Sequence, residues 1–287
     1  MKQLLILSGK GGTGKTTLAS AFIKLADVNA YADCDVDAPN LHLVMGWLHE
    51  PKMSDYFGLP KAFIDPELCN ECDLCRQHCR FNAITAEPIY KISPFACEGC
   101  GVCAYVCPTQ AITMQPSVDG ELMLYSDPQK VFSTAQLKMG SGTSGMLVSN
   151  VKKQMHEGAP QADFAIIDGS PGIGCPVIAS ISGVDMVLIV TEPSLSGISD
   201  MERIVHTVAN FSAKTAVCIN KFDTNLSNSE NIEDYCKNHE LPFLGKIPFD
   251  KAAVKAINNG LSIVDLDCPS GTAAKEIYIR TLELLNR

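Results

Sequence analysis

A chain of 287 residues, 46% of them hydrophobic, has room for one large domain, or one domain with a small second one. Its formal net charge of −9 argues against nonspecific nucleic-acid binding as the main task, so no nucleic-acid partner is expected. No apolar run approaches the roughly 20 residues of a transmembrane segment, and the first one ends at Leu7, too short for a secretion signal. The expected location is therefore cytoplasmic, where thirteen cysteines read as metal ligands before disulfides.

The first element is the apolar run Leu4-Leu5-Ile6-Leu7, a strand. It leads through Ser8-Gly9-Lys10-Gly11-Gly12-Thr13-Gly14-Lys15-Thr16-Thr17 into an Ala/Leu-rich helical segment that begins Leu18-Ala19-Ser20-Ala21. Gly9, four residues, Gly14, Lys15 and Thr16 fit the phosphate-binding loop in its required setting of strand, loop and helix. Glycines let the backbone curl until several N–H groups face one point. The helix N-terminus adds partial positive charge there. Gly11, Gly12, Thr13, Gly14, Lys15, Thr16 and Thr17 are thus the expected cradle for ATP. Lys15 would reach the β- and γ-phosphates, and the Thr16 hydroxyl would ligate Mg²⁺.

Lys10 goes beyond the general pattern. The run from Lys10 to Thr17 resembles the deviant Walker A motif of the MinD/ParA/nitrogenase-iron-protein group of ATPases. The resemblance implies a homodimer in which Lys10 reaches the partner's nucleotide and joins Lys15 as a catalytic residue. The plain alternative is a solvated loop lysine.

A second strand is expected near residues 29–32, followed by Asp33-Cys34-Asp35-Val36-Asp37-Ala38-Pro39-Asn40. Carboxylates just past a strand's C-terminal end lie where open α/β sheets bind ligands, and one could orient the attacking water. The family resemblance selects Asp35 as the catalytic aspartate of the first switch, with Asp33 and Asp37 as weaker candidates. Helix capping is the bland reading of any of the three.

The pattern then changes. Cys69, Cys72, Cys75 and Cys79 are followed by Cys97, Cys100, Cys103 and Cys107, each quartet spaced C-x₂-C-x₂-C-x₃-C. The second quartet is the first moved by 28 residues, from 69 to 97, and Ala83-Ile84-Thr85 recurs as Ala111-Ile112-Thr113. A duplicated unit is the reading. Each quartet matches the bacterial ferredoxin run for a [4Fe–4S] cluster, in which the fourth cysteine ligates the other cluster. Carried over, one cluster takes Cys69, Cys72, Cys75 and Cys107, and the other takes Cys97, Cys100, Cys103 and Cys79. Pro108 follows Cys107 as that run requires, whereas Arg80 follows Cys79, a departure that removes no ligand. Zinc sites and disulfides are the rival readings.

A hairpin is expected around Asp119-Gly120, then a polar Gly/Ser-rich stretch over 138–145, read equally as connector or lid, then a helix over about 147–156. Phe164-Ala165-Ile166-Ile167-Asp168 is an apolar run ending in aspartate, the Walker B arrangement, with Asp168 on Mg²⁺. Residues 169–174 resemble the second switch of the family. Cys175, just beyond, is read either as a semi-buried thiol or as a transient metal contact. Buried strands are expected over 185–190 and 216–221. By resemblance Asn220 reads the adenine, and Pro248 and Phe249 lie over the base; a turn asparagine is the alternative. Cys34, Cys218, Cys236 and Cys268 are expected as core thiols, and residues 273–285 as a packing helix.

The expected fold class is α/β: a doubly wound, mostly parallel sheet of P-loop NTPase type with an inserted small α+β ferredoxin-like domain. The domain boundaries are 1–60 and 117–287 for the two parts of the ATPase domain and 61–116 for the insertion. The resemblance implies an ATP-hydrolysing homodimer with Mg²⁺ and two [4Fe–4S] clusters. It would couple nucleotide state to electron transfer to an unidentified redox or metalloprotein partner, or to metallocofactor assembly. Alternatives are an iron–sulfur or metal carrier with ATP-controlled release and a MinD-like positioning ATPase.

Overall fold

Leu4 and Ile6 face one apolar core, and Leu5 and Leu7 face another, so the first strand must lie inside a sheet covered on both faces. The computed structural model describes residues 1–47 and 49–287. The chain begins with β1 (Lys2–Leu7), α1 (Lys15–Ala26), β2 (Ala30–Asp33), α2 (Leu41–Met45) and β3 (Lys52–Phe57). The cysteine segment holds β4 (Lys61–Ile64), α3 (Leu74–Gln77), β5 (Ile84–Thr85), β6 (Lys91–Ile92), α4 (Val102–Tyr105) and β7 (Ile112–Gln115). Next come β8 (Val118–Ser126), β9 (Val131–Leu137), α5 (Ser144–Gly158), β10 (Phe164–Asp168), α6 (Cys175–Ile181) and β11 (Met186–Thr191). The chain ends with α7 (Leu195–Val208), β12 (Lys214–Asn220), α8 (Leu226–Asn238), β13 (Phe243–Ile247), α9 (Lys251–Asn258) and α10 (Pro269–Asn286).

Nine strands form one sheet in the order β13-β12-β11-β1-β10-β2-β9-β8-β3. All neighbours are parallel except β8 with β9 and β3 with β8. Helices α5 to α8 cover the face of Leu5 and Leu7, and α1 and α10 cover the face of Leu4 and Ile6. α10 buries Ala274, Ile277 and Leu285 against this core, as a packing helix does. Among the described residues no helix is long and apolar enough to cross a membrane.

Two expectations need correction. Asp119 and Gly120 do not turn the chain but lie inside β8, where Gly120 pairs with Tyr56 of β3 and with Leu137 of β9. Gly120 is needed there for closeness: a Cβ would stand 2.8 Å from the Gln136 carbonyl oxygen of β9. Cys175 is exposed rather than semi-buried, because it starts α6 at the surface. Cys34, Cys218, Cys236 and Cys268 are all buried.

The cysteine segment lies outside the large sheet. α3 and α4 occupy equivalent places in the two sequence repeats, and both follow a residue with positive φ, Asp73 at 64° and Gly101 at 74°. The strand before the first quartet, β4, pairs with the strand after the second, β7; β5 and β6 form the complementary pair. The halves are therefore interlocked, with Ile64 beside Ile112 and Ile84 beside Ile92. Ala62, Ile64, Cys75, Ala83, Ile84, Cys97 and Ile112 form its small buried core.

Candidate functional site: a phosphate-binding loop and two cysteine-lined cavities

β1, β10 and β2 are parallel neighbours whose C-terminal ends meet at one edge, where this architecture binds ligands. Register places Asp168 directly beside Asp33. The loop after β1 curls over both. Gly12 and Gly14 have φ of 78° and 94°, and a Cβ on Gly14 would collide with the Asn220 amide nitrogen at 2.1 Å. Lys15 opens α1 and is buried. Its Nζ donates to Asp168 Oδ1 at 2.5 Å, and Thr16 Oγ1 donates to Asp168 Oδ2 at 2.6 Å. Burial opposes the Lys15 charge, yet Asp168 and Asp33 beside it hold its pKa above the ordinary lysine value. The expected phosphate lysine, Mg²⁺ hydroxyl and Mg²⁺ carboxylate thus converge on one point.

Asp33, a weaker sequence candidate than Asp35, is fully buried, as Asp168 is. Its oxygens accept backbone N–H bonds from Asp35, Asn40 and Leu41, each 3.0 Å long. Burial, and then the neighbouring Asp168, push its pKa well above the carboxylate range, to about 7. Asp35 is half-buried at the cleft with Lys15 and Thr16, and burial raises its carboxyl as well. Asp37 is exposed. The sign of the linkage is fixed by the raised folded-state value: the folded chain keeps a proton that the unfolded chain releases. Stability is lost as pH rises from the ordinary carboxylate range to about 7. Asp33→Asn is therefore expected to gain thermal stability relative to the parent between pH 5 and pH 8. Parallel melting curves with no pH-dependent gap would contradict this.

Lys10 is held within its own chain. Its Nζ lies 2.6 Å from Glu192 Oε1 and donates to Ser196 Oγ at 3.0 Å and Ser194 Oγ at 3.2 Å. Burial alone would raise the Glu192 carboxyl, but Lys10 and Lys221 bring it below the usual range. Lys221 also donates to the Gly12 carbonyl at 2.8 Å. Sequence reading missed Glu192 and Lys221. The only signal was position, since each follows the end of a buried parallel strand. Asn220 Nδ2 donates to the Thr13 carbonyl at 2.6 Å, so this side chain braces the loop. It also lines a cleft with Gly12, Pro248 and Phe249. The loop at 247–250 is fixed by the Phe249 N–H donating to Asp223 Oδ1 at 2.7 Å.

In the cysteine segment the quartets do not sort by sequence order. Cys69, Cys72, Cys75 and Cys107 line one cavity. Cys79, Cys97, Cys100 and Cys103 line another. The crossing follows from the interlocked strands: β7 pairs with β4, which brings the end of the second quartet beside the start of the first. Cys72 and Cys100 occupy equivalent exposed positions. Burial raises the Cys75 thiol, and charge on Cys69, Cys72 or Cys107 would raise it further. Burial likewise raises Cys103, with Cys97 and Cys100 adding to it. Burial would raise the Cys107 thiol too, but hydrogen bonds from the Thr109 hydroxyl and the Ala111 backbone N–H bring it below the ordinary value. Among the described residues no three acidic, histidine or cysteine side chains converge on a single-ion site.

The fold and the loop geometry define a P-loop nucleotide-binding protein. Residues 4–263 match the CobQ/CobB/MinD/ParA nucleotide-binding domain, and the chain belongs to that family. It is 32% identical over 288 residues to an uncharacterized protein of Methanocaldococcus jannaschii, covering 99% of this chain and 97% of that one. It is 23% identical over 299 residues to an iron-sulfur cluster carrier protein of the same organism, covering 98% of this chain and 84% of the carrier. Among solved structures, the septum site-determining protein MinD of Pyrococcus horikoshii complexed with Mg-ADP superposes with a TM-score of 0.60 at 16% identity. The match covers 99% of this chain and 96% of that one.

Proposed function

We propose that this chain is a homodimeric, ATP-hydrolysing iron–sulfur protein whose nucleotide state governs two [4Fe–4S] clusters. The observation that carries this reading is the sorting of eight cysteines into two four-cysteine cavities, crossed between the repeats, within one chain that also carries the phosphate-binding loop. Residues 61–116 are read as a ferredoxin-like insertion between the two parts of the ATPase domain, 1–60 and 117–287. The clusters would accept and release single electrons. Lys15, with the N–H groups from Gly11 to Thr17, would hold the phosphates. Thr16 and Asp168 would hold Mg²⁺, in keeping with the Mg-ADP in the solved MinD relative. Asp35, at the cleft, would orient the attacking water. For Lys10 to serve a partner's nucleotide it must leave Glu192, so assembly exchanges an internal ion pair for one between subunits. Asn220 keeps its proposed place beside the base cleft with Pro248 and Phe249.

Electron transfer to a redox or metalloprotein partner is the reading favoured by a full set of four thiols at each site, one of them buried in each, Cys75 and Cys97. The resemblance to the iron-sulfur cluster carrier favours a second, a carrier with ATP-controlled release. The test is anaerobic reconstitution, reduction of the clusters with dithionite and removal of its excess, then mixing with an oxidised acceptor dye, and separately with an apo-ferredoxin, each with MgATP or with a non-hydrolysable analogue. Acceptor reduction at constant protein-bound iron, faster with MgATP, is the expected result. Iron leaving this chain and appearing in the apo-acceptor establishes the carrier instead. Rates indifferent to nucleotide in both arms overturn both.

A further inference from the structure

The two cysteine cavities are alike in sequence but not in placement. The hydrogen bonds that shape the first quartet stay inside its own unit: Asp73 accepts from Arg76, Gln77 and Tyr90. The second quartet is pressed against the nucleotide-binding part. Lys61, which opens β4 within the cysteine segment, ties the two together: its Nζ donates to the Cys97 carbonyl at 2.7 Å and lies 4.0 Å from Asp119 Oδ2 of β8. A Cβ on Gly99 would stand 2.6 Å from the Pro60 carbonyl oxygen. A Cβ on Gly142 would stand 2.7 Å from Glu98 Oε2, and one on Gly140 would lie 3.7 Å from the Phe95 ring. The loop carrying Cys97 and Cys100 therefore rests on the glycine-rich stretch 138–145.

That stretch leads into α5, and α5 is bound to α6. A Cβ on Gly145 would meet Cys175 Cβ and its carbonyl oxygen, each at 3.2 Å. The buried Lys152 of α5 donates to the Ser180 and Ser182 carbonyls, 2.8 and 2.6 Å away, closing the C-terminal end of α6. α6 continues directly from 169–174, whose Gly169 and Gly172 N–H groups donate to the Ile6 and Ser8 carbonyls of the phosphate-loop strand and its exit. One packed series thus joins the phosphate site, residues 169–174, α6, α5, residues 138–145 and Glu98. Tightly packed elements move as units, so displacement at one end is delivered to the other.

We propose that nucleotide state acts on the Cys79/Cys97/Cys100/Cys103 cavity and leaves the Cys69/Cys72/Cys75/Cys107 cavity unmoved, with Lys61, Gly142 and Gly145 as the positioning residues. This rests on the cluster reading above. A larger side chain at Gly145 must push against Cys175 and its backbone and so part α5 from α6, whereas one at Gly142 meets only the flexible end of Glu98, which turns aside and gives up that contact.

The experiment uses the full-length, cluster-loaded protein. Redox titration followed by electron paramagnetic resonance resolves the two clusters with Mg-ADP or with Mg²⁺ and a non-hydrolysable ATP analogue. Hydrogen exchange under the same conditions compares residues 95–103 and 138–145 with residues 69–79. The expected result is a nucleotide-dependent shift in one reduction potential only. Its signal is altered by Cys100→Ser and left alone by Cys72→Ser, and the exchange change is confined to 95–103 and 138–145. Gly145→Val should abolish that shift while both clusters and nucleotide binding persist. Lys61→Met should move the same potential without nucleotide. If Gly145→Val fails to fold, Gly142→Ala supplies the uncoupling arm. Equal shifts at both clusters, a shift at the Cys72 cluster alone, or no shift in a protein shown to carry two clusters and to bind ATP overturns the inference. Failure to assemble two four-iron clusters overturns the underlying reading instead.

Discussion

Lys15→Ala is expected to lower MgATP affinity by roughly 10- to 150-fold, the loss of one charge-assisted contact worth about 1.5–3 kcal/mol. Hydrolysis should fall further, since that contact strengthens as charge moves onto the phosphates. The free protein is affected too. Lys15 is buried, and its Nζ is 2.5 Å from an Asp168 carboxylate that is fully buried. Removing one member of a buried pair leaves the other uncompensated, at about 3–5 kcal/mol. The lower end applies here, because Thr16 still donates to Asp168. The double variant Lys15→Ala/Asp168→Ala should therefore be less destabilised than the sum of the single changes, since neither charge is then left alone. Binding is measured by titration with a fluorescent ATP analogue and stability by thermal melting. Parent-like nucleotide affinity in Lys15→Ala would refute the assignment of the loop.

The second large effect concerns Cys107. If ligation follows the cavities, Cys107→Ala should strip the cluster held with Cys69, Cys72 and Cys75, although it lies in the other repeat. The cluster held by Cys79, Cys97, Cys100 and Cys103 should remain. Iron and sulfide should fall from about eight each to about four each. Local order should fall with them. The buried core of this unit is a handful of small and aliphatic residues with Cys75 and Cys97, too little apolar surface to hold so small a fold without a staple. Chelation of iron from the parent should raise hydrogen exchange across 61–116 and leave the nine-stranded sheet protected. Loss of the Cys97 signal in Cys107→Ala would show that the ligands follow sequence order and not the cavities.

Much of the molecule is set locally and is legible from the chain alone. A glycine loop between an apolar strand and a helix can do little else than wrap an anion, because its backbone N–H groups and helix N-terminus must find a partner. Asp168 is legible for a similar reason: it ends a run that is apolar on both faces, so its carboxylate emerges at the sheet's edge. The quartets and their offset identify a duplicated cysteine unit without any coordinates. Tertiary structure alone decided how these parts meet. Asp33 became the central carboxylate only because parallel register sets it beside Asp168. Lys10 found Glu192 and Asn220 found Thr13 because loops from distant strands converge at one edge. Asp119-Gly120 reads as a turn in isolation, yet lies mid-strand where β9 needs a residue without a Cβ. A repeat makes its two halves equal in sequence. Which half touches the nucleotide-binding part is settled by contacts of Gly99 with Pro60, Glu98 with Gly142 and Lys61 with Asp119, which no local pattern can encode.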